Sequence, residues 1–238
     1  MTLTRRKLIS TGLTASAGLA ALHALRGHAA AHGDEQHPAP PQPTQPLRVQ
    51  IALFDGFEVT DALAPFDVFK LAGKLGGSID TALVSVNGAA KVTALDDVIL
   101  QPTAAFDPNA DVLVVPGAPS LWRGGDLPAG LSEAMQAFRQ PGKLLASVCT
   151  GGVLVARAGH FKGRNATTHK SALQELQAQG ATLVAARVVD DGDLLSSGGV
   201  TSGIDLALYL VERFFSPALA LQVEQVIEYE RRGTVWRA

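Results

Sequence analysis

The sequence predicts an α/β fold in which a mainly parallel sheet is covered by helices on both faces. Two observations carry this. Short, almost wholly apolar runs, such as "VLVV" (112–115) and "LLASV" (144–148), alternate with longer stretches whose apolar residues recur at helical spacing. Strands buried on both faces need such runs, and strand–helix alternation is the signature of a parallel sheet. The composition agrees: 47% of residues are apolar but only 5% aromatic, which suits a core built from Ala, Val and Leu.

The elements follow in order, after a leader. Paired Arg5 and Arg6 precede the uncharged stretch "TGLTASAGLAALHAL", and small residues follow at Ala29, Ala30 and Ala31. The stretch is too short and too rich in Gly, Ala, Ser and Thr for a membrane span, and its order of features fits a twin-arginine export signal over residues 1–31. Cleavage there predicts a periplasmic protein with no membrane attachment. Residues 32–46, "HGDEQHPAPPQPTQP", bury nothing and read as an extended linker whose His32 and His37 are solvated. Residues 47–238 form one domain.

Within it, "LRVQIALF" is a first strand ended by Asp55-Gly56. "TDALAPFDVFKLAG" has helical spacing, with Pro65 placed early and Gly73 as a stop. "TALVSVN" and Val112–Val115 are the next strands, and "LPAGLSEAMQAFRQPGK" is an amphipathic helix. "LLASV" is a buried strand and "GGVLVARAG" a helix. "TLVAARVVDDGDLLSSGG" reads as strand, turn, strand, and "TSGIDLALYLVERFF" and "SPALALQVEQVIEYERR" are closing helices.

Charge excludes one class of function. Residues 1–31 hold Arg5, Arg6, Lys7 and Arg26 and no acid, so their removal leaves 16 Lys+Arg against 22 Asp+Glu and moves the net charge from -2 to -6. No basic stripe remains for nucleic acid. No Cys/His cluster or Gly-rich phosphate loop is visible, so neither metal nor organic cofactor is expected. Only nine residues follow Tyr229, too few for a helix-turn-helix.

Cys149 is the only cysteine. In an oxidising compartment it has no internal disulfide partner. It is either a small buried hydrophobe or a functional thiol. It falls between a strand and a helix, where backbone N–H groups and the helix dipole favour a thiolate, with a pKa about two units below a free cysteine. Gly151 and Gly152 remove side chains where a sharp turn would crowd them. Ligands of parallel sheets bind beyond the carboxyl ends of strands, and two other strand ends meet there. The N–H groups of Gly117 and Ala118 in "VVPGA" could serve as an oxyanion hole. "GFEVTDALAP" offers Glu58 and Asp61, which taken singly are more readily solvated turn or helix-start residues, capping in the case of Asp61, than catalytic ones.

The motifs "SVCTGG", "AGHFKGRNATTH", "ARVVDDGDLLSSGGVTSGID" and "EYE", in that order, resemble the ThiJ/PfpI superfamily of class I glutamine-amidotransferase-like domains over Val49 to Glu230, most of all its isonitrile hydratase branch and the amidase-like domains of certain AraC-type regulators. The resemblance implies a flavodoxin-like three-layer α/β/α sandwich, commonly a homodimer, and a small-molecule substrate. It assigns the nucleophile to Cys149 and the catalytic acid to Asp61, four residues before Pro65, with Glu58 secondary. Thr150 matches the threonine that follows the nucleophile in hydratases, and His169 a histidine of structural rather than catalytic character. Lys170 stands where a tryptophan is usual, Arg157 and Ala118 where glycines are, and Ala64 replaces the glycine before Pro65. The implied activity is that of a hydro-lyase converting an isonitrile and water to an N-substituted formamide. A glyoxalase or deglycase acting on reactive carbonyls is the enzymatic rival. A redox-sensing or ligand-binding domain, with Cys149 oxidised to sulfinic acid beside a carboxyl, is the non-enzymatic one.

Overall fold

Residues 46–238 are described by the computed structural model of the chain, so the expected export signal and nearly all of the expected linker lie outside the described residues. The first strand, β1 (Leu47–Leu53), leads through Asp55-Gly56 into helix α1 (Val59–Lys74), and β2 (Ile79–Ser85) returns parallel to β1. A small hairpin, β3 (Val92–Thr93) with β4 (Ile99–Leu100), precedes β5 (Val112–Val115). Then come α2 (Leu131–Ala137), β6 (Leu144–Ser147) and α3 (Gly151–Arg157). β7 (Asn165–Ala166), α4 (Leu173–Ala178) and β8 (Thr182–Leu183) form a separate lobe of two paired strands and a helix. The antiparallel hairpin of β9 (Val188–Asp191) and β10 (Leu194–Ser197) leads to α5 (Ser202–Phe214), α6 (Pro217–Val226) and the edge strand β11 (Val235–Arg237).

Seven strands make one sheet in the order β11-β9-β10-β6-β5-β1-β2. From β10 to β2 every neighbour pair is parallel, whereas β9 runs antiparallel to β10 and β11 follows β9 in that reversed direction. The chain moves outward from β1 to β2 in one direction and from β5 to β6 in the other. Right-handed crossovers therefore place α1 on one face and α2 and α3 on the opposite one. α1 packs with α5 and α6, whereas α3 packs with α4 and on β5 and β6. β5 and β6 are buried at every residue, as strands covered on both faces must be. This is the flavodoxin-like three-layer sandwich. Among the described residues, no helix is long and apolar enough to cross a membrane.

Several elements differ from the sequence reading. α2 begins only at Leu131, because Gly130 takes the left-handed conformation (φ 79°) and the preceding "LPAG" stays in the loop. The run from Thr182 supplies β8 to the small sheet, and only Val188–Ser197 form the strand–turn–strand unit. α6 stops at Val226, with Glu228 left-handed at φ 49°. Pro65 is the seventh residue of α1, not at its start. Its missing N–H leaves the carbonyl of Asp61 without an intrahelical partner.

The crossing of β5 and α3 is tight. A Cβ on Gly151 would lie 2.4 Å from the carbonyl oxygen of Val115 and 2.8 Å from that of Pro116. Both obstacles are backbone, so neither can swing away. Gly151→Ala is expected to destabilise the fold by about 2–3 kcal/mol, lowering the melting temperature by roughly 5–10 °C. Thermal unfolding followed by circular dichroism checks it; an unchanged midpoint would mean that β5 and α3 can separate freely.

Candidate active site

Four parallel strands, β1, β5, β6 and β10, deliver their carboxyl ends to one edge of the sheet, and the turns after them make the site. β6 ends in Ser147, and two residues later Cys149 adopts φ 56°, a conformation that side chains other than glycine rarely take. Its main chain is held on several sides. The Cys149 N–H donates to Gly198 O (2.8 Å), and Cys149 O accepts from Thr168 Oγ1 (2.6 Å) and from the His169 N–H (3.4 Å). A strained residue so fully braced is a rigidly presented side chain.

Asp61 reaches the same place from the first turn of α1. It is completely buried, and its Oδ2 accepts a hydrogen bond from the Gly117 N–H at 2.9 Å. Oδ1 is buried without a hydrogen-bond partner among the described residues, and the carboxyl interacts with the Cys149 thiol. The capping alternative for Asp61 does not hold: Glu58 is the N-cap of α1, accepting from the Thr60 N–H. Burial, opposed by the Gly117 hydrogen bond and reinforced by the charge of Glu58, pushes the Asp61 carboxyl up to about 7.

The thiol departs from expectation. Cys149 is 4% exposed, and burial followed by the charge of Asp61 pushes its pKa up to about 11. The N–H groups of Val200 and Thr150 face the sulfur and favour its charged form, but they do not outweigh desolvation. The thiolate expected at neutral pH is thus replaced by a thiol. Two groups so close titrate as a pair: it holds two protons below about 7, one between about 7 and 11, and none above.

The expected oxyanion donors are also reassigned. The Gly117 N–H is spent on Asp61, and the Ala118 N–H donates to Thr150 Oγ1 at 3.0 Å. They position the site and leave no free donor for a substrate. Gly117 has to be glycine, since a Cβ there would sit 2.6 Å from Thr150 Oγ1 and 2.7 Å from Asp61 Oδ2. The structure therefore brings Cys149, Asp61, Thr150 and Gly117 together. Gly151 packs beneath them against β5. The His169 ring accepts at Nδ1 from the Ser171 N–H (3.2 Å) and caps a short 3-10 turn, in keeping with a structural role.

Residues without an assigned role in the sequence reading complete the site. Val200, at φ 20°, turns its N–H to the sulfur, and Gly199 lies so close to the His169 ring that a Cβ would meet it at 2.7 Å. Their signal was the Gly-Gly before "VTSG", a glycine pair at a strand end. Arg157 donates from Nη1 to Leu121 O at 2.7 Å and from Nη2 to Gly125 O, tying the loop after β5 to α3. Among the described residues, no three His, Cys, Asp or Glu side chains converge as a metal site.

Comparison with known proteins places this arrangement. The family model DJ-1/PfpI matches residues 47–213. An isonitrile hydratase of Pseudomonas putida is 33% identical over 190 residues, covering 77% of this chain and 78% of that protein. A deglycase of Thermococcus kodakarensis is 29% identical over 63% of this chain and 89% of its own length. The transcriptional regulator GbdR of Pseudomonas aeruginosa is 28% identical over 81% of this chain, which spans 53% of that protein. Among solved structures, a ThiJ/PfpI family protein from Pseudomonas syringae superposes with a TM-score of 0.67 at 24% identity, over 89% of this chain and 84% of that one. With the family model matching most of the chain and the fold matching as well, this protein belongs to the DJ-1/PfpI family.

Proposed function

We propose that this protein is a cysteine-dependent hydro-lyase that adds water to an isonitrile and releases an N-substituted formamide. The observation that supports it is the buried Asp61–Cys149 pair, a nucleophile and a proton carrier that hold one proton between them from about pH 7 to about 11. The likeness to the Pseudomonas putida isonitrile hydratase supplies the substrate class.

The terminal carbon of R–N≡C accepts the sulfur lone pair, and the resulting carbanion needs a proton at the same carbon. The pair's single proton, passing through Asp61, fits that need and leaves the thioimidate R–N=CH–S–Cys149. The Asp61 carboxylate then takes a proton from water, as the water oxygen attacks the thioimidate carbon, and passes that proton to nitrogen, giving R–NH–CH(OH)–S–Cys149 and restoring the carboxylate. Collapse breaks the C–S bond, sulfur regains its proton by way of Asp61, and R–NH–CHO leaves. Thr150, bonded to the Ala118 N–H, holds the turn in register.

Turnover of ethyl isonitrile beside methylglyoxal tests the reading. Formation of N-ethylformamide without lactate is the expected outcome. Lactate formation alone would transfer the site to the carbonyl chemistry suggested by the deglycase relative. If neither is consumed and mild peroxide adds two oxygens to Cys149, by intact mass, the sensor reading takes over.

Export and a homodimeric state belong to the same proposal. Arg5 and Arg6 ahead of an uncharged stretch, with Ala29 and Ala31 spaced for cleavage, support a mature protein beginning near His32. Mass spectrometry of the native protein is expected to find that terminus in the periplasmic fraction. A Met1 or Thr2 terminus on cytoplasmic material would contradict it.

A further inference from the structure

Beside the thiol lies a cavity of about 550 Å³, within the size range of small-molecule sites. It is not lined by Cys149 or Asp61. Four of its walls, Thr168, His169, Gly198 and Val200, are residues that also bond to or face Cys149, so cavity and cysteine share those residues.

Its charge is one-sided. Lys170 and Arg187 line it and no Asp or Glu does. Arg187 is fixed from behind: Nε donates to Asp205 Oδ2 (2.5 Å) and Nη2 to Thr201 Oγ1 (2.9 Å), while Asp205 also accepts from Tyr229 OH (2.9 Å). Asp205 thus offsets the Arg187 charge yet leaves Nη1 without a partner among the described residues. Lys170 is exposed and forms no ion pair among the described residues, so one positive charge is uncompensated. The thirteen-residue helix α5 begins at the same wall, presenting its positive end through Thr201 and Ser202. Ser202 is completely buried, and its Oγ has no hydrogen-bond partner among the described residues.

We infer that this cavity is the subsite for a negatively charged group of the substrate, and that the physiological substrate is an isonitrile bearing a carboxylate. The inference rests on the isonitrile reading for the reacting end only; the carboxylate end stands on the cavity. One uncompensated cation, a guanidinium edge and a helix N-terminus suit a monoanion that accepts several hydrogen bonds. A neutral alkyl isonitrile would leave Lys170 and the buried Ser202 hydroxyl unused.

The test compares binding and turnover on the full mature chain. N-formylglycine, the formamide that isocyanoacetate would yield, is expected to bind at least about tenfold tighter than neutral N-ethylformamide by calorimetry. Isocyanoacetate is expected to exceed ethyl isonitrile in kcat/KM by a similar factor. Lys170→Gln, at an exposed position, is expected to fold normally and to bring the two formamides within about threefold of each other. Equal binding of the acid and the neutral formamide, an undiminished preference in Lys170→Gln, or binding of inorganic phosphate but not of N-formylglycine would each overturn the inference. If neither isonitrile is consumed while the Lys170-dependent preference for N-formylglycine persists, the reaction assignment fails and the subsite stands. If both isonitriles react equally well, the reverse holds.

Discussion

Cys149→Ser is expected to reduce formamide production from ethyl isonitrile by at least about a thousandfold while the protein stays folded. Serine is nearly isosteric and can keep the left-handed turn that the surrounding hydrogen bonds impose at φ 56°. The loss comes from chemistry. A hydroxyl gives up its proton far less readily than a thiol, and its oxygen is the poorer nucleophile toward the isonitrile carbon even with Asp61 beside it. An alkoxide is also a poor leaving group in the last step, when the bond to carbon must break. Steady-state assays beside a thermal unfolding control check this. Retention of more than about a tenth of the activity would show that the thiol is not the nucleophile and return Cys149 to the status of a buried core residue.

Asp61→Asn is expected to lower turnover by at least about a hundredfold, the scale of a lost general acid–base. The side-chain oxygen can still accept from the Gly117 N–H, so the residue stays in place, but it can neither deliver a proton to carbon nor activate water. Two further signs separate this from structural damage. First, kcat/KM of the wild type should rise with pH through about 7, as the doubly protonated pair loses its first proton, and hold until near 11, where the second leaves. Second, the folded carboxyl titrates above its unfolded value of 3.8, so the native state holds more protons than the unfolded chain between about 4 and 7. Stability must therefore fall as pH rises through that window, by the linkage of proton binding to unfolding. Asp61→Asn removes this fall. Near-wild-type turnover with the pH-dependent loss of stability abolished would take Asp61 out of the mechanism and make Glu58 the next residue to replace.

The sheet and the position of the site were legible in the sequence because they depend on local pattern. Runs such as Val112–Val115 are apolar at every position, which only a doubly covered strand tolerates, and each ends at a turn signal. Cys149, Gly117 and Asp61 follow three such runs, so the rule of ligands at strand ends brings them together. Less legible was everything set by tertiary contact. The hairpin Val92–Leu100 and the edge strand Val235–Arg237 have two or three residues per strand, too few to show a period, and the edge strand exists through pairing with distant Val188–Asp190. The same limit explains the thiol. Its place between strand and helix argued for a lowered pKa, but α3 is only seven residues long, and both the depth of burial and the neighbouring carboxyl come from how α1 folds over the sheet. Arg157 and Lys170 showed as departures from the family pattern. Their uses, as loop tether and as cavity-lining cation, required coordinates.

The rate of iodoacetamide alkylation of Cys149 against pH, in wild type and in Asp61→Asn, tests most directly the claim that these two residues act as one proton-sharing pair. With a single cysteine in the chain, the signal has one source. The wild-type rate should still be climbing above pH 9, towards a midpoint near 11, because burial and the Asp61 charge both hold the proton on sulfur. In Asp61→Asn the midpoint should drop by about one pH unit, since only the charge has been removed, and alkylation at pH 8 should rise about tenfold. A wild-type midpoint at or below the free-thiol value of about 8.5, unchanged in Asp61→Asn, would contradict the pairing and leave Cys149 acting alone.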